Sequence, residues 1–122
     1  MNYCPLQTFS YYSFLHSTLA PETLIRSAAN HHLKYLALTD WNTTSGCIEF
    51  YKIARKNNII PILGSSINCP KYKVEMIAIA QSNNGYKTLN KLLSERQLSA
   101  TFSLQENLKK QSLNELVIIT SC

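Results

Sequence analysis

The feature that most constrains this chain is a set of five short apolar runs alternating with helix-like segments. The runs are Leu6 to Phe9, Tyr35 to Thr39, Ile59 to Leu63, Val74 to Ala80 and Leu116 to Thr120. They are short and carry apolar residues on both faces, which suits buried strands. Between them, Pro21 fits the first turn of a helix and leads into Leu24, Ile25, Ala28 and Ala29 at helical spacing. A second helix is predicted from about Ser45 to Lys56, carrying Ile48, Tyr51, Ala54 and Arg55. Asn83-Asn84-Gly85 is read as a turn into a third helix with Tyr86, Leu89, Leu92 and Leu93. Ser103-Leu104-Gln105-Glu106 spells a capping box and predicts a short helix through Lys110. The stretch from Ser94 to Ser103 carries the least pattern. Strands separated by helices predict an α/β fold with a mostly parallel sheet.

The chain has 122 residues, enough for one compact core and too few for two. Apolar residues make up 45% and charged residues 16%, an ordinary globular balance. No apolar run approaches the ~20 residues of a membrane span, and Met1 to Pro5 lack the basic and apolar regions of a signal peptide. Cys4, Cys47, Cys69 and Cys122 are widely and unequally spaced, without a Cys-x-x-Cys pair, so reduced thiols in a cytoplasmic protein are expected. The net charge of +5 permits contact with nucleic acid, but the basic residues are scattered as on a solvated surface. Seven residues are acidic and Asp40 is the only Asp. Two-metal phosphoryl transfer needs clustered carboxylates, so a complete polymerase or an aspartate-based nuclease is excluded.

In folds of this class function gathers where strands end. The positions to inspect are therefore Gln7 to Ser10, Asp40 to Asn42, Ser65 to Asn68, and Ser121-Cys122. Leu38-Thr39-Asp40-Trp41-Asn42 resembles the L-T-D-H-x strand end of PHP (polymerase and histidinol phosphatase) domains. Leu6 to Ser17 resembles L-H-V-H-S-x-Y-S-L-L-x-S/G, and Glu49-Phe50-Tyr51-Lys52 resembles the segment that follows the Thr-Asp block. Asn58 to Gly64 looks like G-I-K-P-I-I-G, Ile79 to Leu89 like L-A-K-N-x-x-G-Y-x-N-L, and Val117 to Cys122 like L-I-A-L-S-G-C. Order and spacing match across nearly the whole chain. Together the blocks resemble the PHP domain at the N-terminus of bacterial DNA polymerase III alpha subunits, including the low-GC Gram-positive kind.

The resemblance implies a distorted (β/α)7 barrel whose strand ends hold metal ions through His, Asp, Glu and sometimes Cys. Here the H-x-H histidines align with Gln7 and Phe9, the His after Thr-Asp with Trp41, the Glu after the third strand's Gly with Ser66, and the His opening the fourth strand with Glu75. Of the aligned positions, Glu75 and Cys122 keep a good ligand. Phe9 and Trp41 offer no lone pair and are read as apolar plugs. Asp40 is read first as a loop-ordering carboxylate and second as a remnant of the metal site. His31-His32 is a poor chelate and suits a helix C-terminus, and His16 falls where the family has a small or acidic turn residue, with approach to the strand ends as the alternative.

The leading expectation is therefore a degenerate PHP domain, Gln7, Phe9, Asp40, Trp41, Ser66, Glu75 and Cys122 marking a vestigial site with no catalytic residue, no metal and no cofactor. It would act as a structural and interaction module. Its expected partners are the remainder of the polymerase alpha subunit and the replisome, with DNA reached indirectly and no membrane. The alternatives are an active metal-dependent phosphoesterase or 3′–5′ exonuclease, and a free-standing basic nucleic-acid-binding domain. A full barrel takes about 250 residues, so residues 1–122 are expected to be an incomplete, N-terminal portion. Its last strand would then offer an unpaired apolar edge that invites association.

Overall fold

The computed structural model describes residues 3–70, 75–110 and 113–120. The elements run α1 (Pro21–Asn30), β1 (Tyr35–Leu38), α2 (Cys47–Lys56), β2 (Ile60–Asn68), β3 (Glu75–Ala80), α3 (Asn83–Leu98), α4 (Leu104–Lys110) and β4 (Leu116–Thr120). Pro21 opens α1 as expected. Both α1 and α2 end on a non-glycine residue in the left-handed region, His32 at φ 56° and Asn58 at φ 58°. In each case the following amide reaches back into the last turn, Leu33 N–H to Ala28 O and Ile59 N–H to Ala54 O, both 3.0 Å. These are Schellman ends, and the ring of His31 adds a 2.8 Å contact to Ser27 O. The histidine pair therefore belongs to helix termination.

The four strands form one sheet in the order β1-β2-β3-β4. Tyr35 to Leu38 pair in parallel with Ile60 to Leu63 across the α2 crossover. From Gly64 onward β2 changes partner and pairs antiparallel with β3, Gly64 opposite Ile79 and Asn68 opposite Glu75. A Cβ on Gly64 would lie 2.4 Å from Ala78 O, so the switch point needs glycine for close approach. β3 and β4 are again antiparallel, Ile77 opposite Ile119.

The α/β class holds, but these four strands are not mostly parallel. Residues 69–74 alone join β2 to β3, and a parallel return needs a dozen or more residues. The run Leu6 to Phe9 lies outside the sheet ladders as an extended segment beside β1. The Thr39 N–H donates to Thr8 O at 2.9 Å, while the Thr39 hydroxyl accepts from Thr8 N–H and donates to Leu6 O, both at 3.0 Å. A side chain thus takes the place of part of a backbone ladder. The weakly patterned stretch after Ser94 proves helical through Leu98, and Asn83 and Asn84 are its first helical residues, capped by Ser82 accepting from Gly85 N–H at 3.1 Å. The turn expected at Asn83 to Gly85 is thus the first turn of α3. Val74 lies outside the described residues, and β3 is described from Glu75.

Two apolar clusters flank the sheet. Ile25, Ala28, Leu36, Leu38, Cys47, Phe50, Ala54 and Ile59 join α1 and α2 to the parallel pair. Ile67, Met76, Ala78, Leu89, Leu92, Leu93, Phe102, Leu104 and Leu116 join α3 and α4 to the antiparallel part. Each fully buried side chain of this size stabilises by roughly 1.5–3 kcal/mol, so these two clusters hold the strand ends in place. Among the described residues β4 has a single neighbour, β3.

Candidate functional site

The C-terminal end of β1 collects the polar residues of the interior. Ser10, Ser13, Thr39, Asp40, Ser65 and Ser66 are all buried. Asp40 is 1% exposed, a burial that a carboxyl group tolerates only with hydrogen-bond partners. It has three. The Ser10 N–H donates to Oδ1 at 2.6 Å, the Ser10 hydroxyl to Oδ2 at 2.7 Å, and the Ser13 hydroxyl to Oδ1 at 2.6 Å. The Ser13 hydroxyl also accepts from Trp41 N–H at 2.8 Å. Asp40 therefore orders the loop that follows the first extended segment.

The main chain beyond Asp40 is tied to β2. Ser66 N–H donates to Asp40 O at 3.0 Å and Asn42 N–H to Ser66 O at 2.7 Å. The hydroxyls of Ser65 and Ser66 donate to Asp40 O and Thr39 O, at 2.8 and 3.0 Å. Asp40 and Ser66 thus share one end of the sheet, as the strand pattern implied; Cys122 lies outside the described residues. Asn42 stands at φ 54°, a conformation Asn tolerates. Its amide is fixed by reciprocal bonds with Asn68, and Arg96 of α3 donates to Asn68 O and Oδ1, both at 2.8 Å.

Beside this polar network stand three rings. His16 and Trp41 lie 4.9 Å apart at 34°, Phe9 and Trp41 6.5 Å apart at 76°, and Phe9 and His16 5.7 Å apart at 43°. Phe9 and Trp41 are half-buried and His16 is exposed. A cavity of about 200 Å³ opens nearby, lined by Gln7, Ser66, Glu75, Met76, Ile77, Ile119 and Thr120. The aligned positions thus fall into two neighbouring groups. Gln7, Ser66 and Glu75 face one cavity, and Phe9 and Trp41 share a ring cluster. Among the described residues no group of three or more His, Cys, Asp or Glu side chains converges.

Tyr12, Ser13 and Gly46 were not singled out individually in the sequence, and Ser10 only as the end of a stretch to inspect. Ser10 and Ser13 hold Asp40, and their sequence signal is the S-x-Y-S part of the Leu6 to Ser17 block. His16, given little weight above, is in ring contact with Trp41. Tyr12 donates to Glu49 Oε2 at 2.9 Å, fastening the loop to α2, and that bond pushes the phenol pKa up to about 12. A Cβ on Gly46 would lie 2.7 Å from the Tyr12 ring and 3.2 Å from Asp40 Oδ2, so the bare glycine lets the loop close. Cys47, buried next along α2, has its thiol pushed up to about 12 by desolvation and by the nearby Asp40 charge. It is an inert core thiol.

Residues 6–122 match the family model described as the PHP domain. The DNA polymerase III alpha subunit of Mycoplasma genitalium is 40% identical over 105 residues, covering 84% of this chain and 12% of that protein. The corresponding subunit of Ureaplasma parvum is 35% identical over 114 residues, covering 93% and 11%, and that of Staphylococcus aureus 34% over 110 residues, covering 88% and 10%. The chain therefore spans about a tenth of the length of these relatives. Among solved structures, an amidohydrolase from Chromobacterium violaceum has a TM-score of 0.62 at 23% identity, with 75% of this chain and 32% of that one covered. A candidate metal-dependent phosphoesterase from Bifidobacterium adolescentis gives 0.62 at 21%, with the same coverage. At those identities the likeness is one of fold. The strand-end architecture, the matched family model and the polymerase relatives agree, and the chain belongs to the PHP domain family.

Proposed function

We propose that this chain serves as a structural and interaction module of a cytoplasmic replicative polymerase of the DNA polymerase III alpha type, its metal site lost. The relatives from Mycoplasma genitalium and Ureaplasma parvum support the polymerase context. No helix among the described residues is long and apolar enough to cross a membrane. The observation that carries the loss of the metal site is the chemistry at the strand ends. Phe9 and Trp41 have no lone pair to give a metal, and they lie in ring contact with His16 and each other. Both Asp40 oxygens are taken by Ser10 and Ser13. The Ser66 hydroxyl is committed to Thr39 O. Gln7 is a weak neutral donor, and among the described residues lining the cavity Glu75, which is exposed, is the one carboxylate. A catalytic ion that activates water needs about three protein ligands and an open position. The described residues do not fit such an ion, and no hydrolytic step is assigned to them. In this reading the strand-end packing supports the rest of a polymerase body.

The test is elemental analysis of the purified chain before and after mild chelation, with phosphatase and exonuclease assays in added manganese. Substoichiometric metal and no hydrolysis are expected. One or more tightly held ions per chain, with activity that falls in Glu75→Ala, would overturn the reading and favour an active metal-dependent phosphoesterase. The scaffold role is tested by placing this chain in the matching segment of a DNA polymerase III alpha subunit. Polymerase activity should survive that exchange and fall when the segment carries Asp40→Ala.

A further inference from the structure

Residues 1–21 contain no Asp, Glu, Lys or Arg, in a chain of formal net charge +5. Within that stretch, the loop after Ser10 displays a group of large apolar side chains. Phe14 is 83% and Leu15 92% exposed, and Tyr11, Tyr12 and Leu19 are exposed beside them. The loop is tied down at several points. Tyr11 N–H donates to Leu19 O at 2.8 Å, Ser10 and Ser13 bind Asp40, and Tyr12 binds Glu49. Leu15 stands at φ 67°, where a bulky residue is disfavoured. The anchored loop therefore holds this side chain outward against its own preference. Around the Phe14–Leu15 tip lies an open hollow of about 770 Å³, walled also by Tyr11, His16 and Leu19. Knob and hollow are built from the same loop.

We propose that this loop is a self-association surface, through which two copies of the chain meet loop to loop about a two-fold axis. Each Phe14–Leu15 tip enters the other copy's hollow. A two-fold interface must be complementary to itself, and a knob beside a hollow satisfies that condition. Charge selects the same face. Two chains of +5 repel through their basic surfaces, whereas this stretch brings no like charges together. The lack of Lys and Arg disfavours a nucleic-acid partner, whose phosphates call for cations. A loop whose backbone is already tied down loses little freedom on binding. A patch of this kind covers ~300–600 Å², below the ~800 Å² per partner of a standard interface. The dimer is therefore reversible and fills at high protein concentration. The inference is independent of the metal-site reading.

The test is sedimentation equilibrium of the whole 122-residue chain over a concentration series at low and high salt. Fluorescence of the sole tryptophan, Trp41, is followed in parallel, because His16 of the loop lies 4.9 Å from it. The decisive variant combines Phe14→Ser with Leu15→Asn. Both positions are exposed and Asn accepts the left-handed conformation, so the variant keeps its fold. Val117→Lys, on exposed β4, controls for association through the sheet edge. The wild-type chain is expected to shift toward dimer mass with concentration, at both salt levels, with Trp41 emission following. The double variant should associate about tenfold more weakly or not at all, the usual result of removing a central anchor. Val117→Lys should behave as wild type. A chain monomeric at every concentration overturns the proposal, as does a dimer that survives the double variant or disappears in Val117→Lys. Binding of an oligothymidylate that the double variant loses would assign the loop to nucleic acid and overturn it too.

Discussion

Asp40 and Trp41 are neighbours at the end of β1, yet they are held in opposite ways. Asp40 is buried and fixed by three directional hydrogen bonds from a loop that precedes it by 27 to 30 residues. The Trp41 side chain is half-buried and packs against the rings of Phe9 and His16. Directional bonds to a buried acceptor have few substitutes, because removing the acceptor strands each donor. Ring contacts are non-directional, and other side chains of similar volume can replace them. The two positions should therefore differ in tolerance although one peptide bond separates them.

The largest effect is expected at Asp40. Asp40→Ala leaves the Ser10 and Ser13 donors stranded and should destabilise by ~3–5 kcal/mol, read from the urea midpoint. Asp40→Asn keeps the shape and part of the acceptor capacity and should lose less. If Asp40→Ala costs no more than Trp41→Phe, the contrast between the two positions is broken.

The next effect is alkaline: burial, with a smaller part from the Asp40 charge, raises the thiol pKa of Cys47 to about 12. A thiol freed by unfolding ionises near its usual value of about 8.5, while the native thiol stays neutral. The unfolded chain then holds fewer protons than the native one, so stability is full below that pH and falls as pH rises toward 12. The slope should approach roughly 1.4 kcal/mol per pH unit while one group alone is ionised in the unfolded state. Urea titrations from pH 8 to 11 of wild type and Cys47→Ala would show it; an equal slope in both would remove Cys47 from the account.

Trp41→Ala should cost about 1–2 kcal/mol, less than a fully buried aromatic because part of the ring already faces water. A loss as large as that of Asp40→Ala would mean that the ring cluster is part of the core. The smallest effect belongs to Tyr12→Phe, which removes the exposed bond to Glu49 and the phenol pKa of about 12. The melting midpoint should barely move at neutral pH. The phenolic absorbance titration of the native chain should lose its highest-pH component.

The strand and helix order was legible because it rests on short-range patterns. The apolar runs at Tyr35, Ile59 and Leu116 all became strands, and Pro21 opened α1. The run at Leu6 did not become a ladder strand, because the Thr39 hydroxyl competes for its backbone. The expected strand directions failed at β3 for a reason also written locally, since residues 69–74 are too few for a crossover. At the site, the positions Gln7, Ser66 and Glu75 were legible from the blocks that carry the family resemblance, and one cavity gathers them. His16 was undervalued because its contact with Trp41 depends on a loop that folds back across 24 intervening positions.

By itself, then, the sequence determined the order of the helices and of the four ladder strands, the start of α1 and the family to which the chain belongs. Periodicity, caps and motif spacing all act over a few residues. Tertiary structure alone decided that β2 divides its length between a parallel and an antiparallel partner, and which loop the buried Asp40 anchors. It also decided that Phe9, His16 and Trp41 form one cluster. Each of these depends on groups far apart in the chain being brought together, and local preference is silent about which distant donor will meet a buried acceptor.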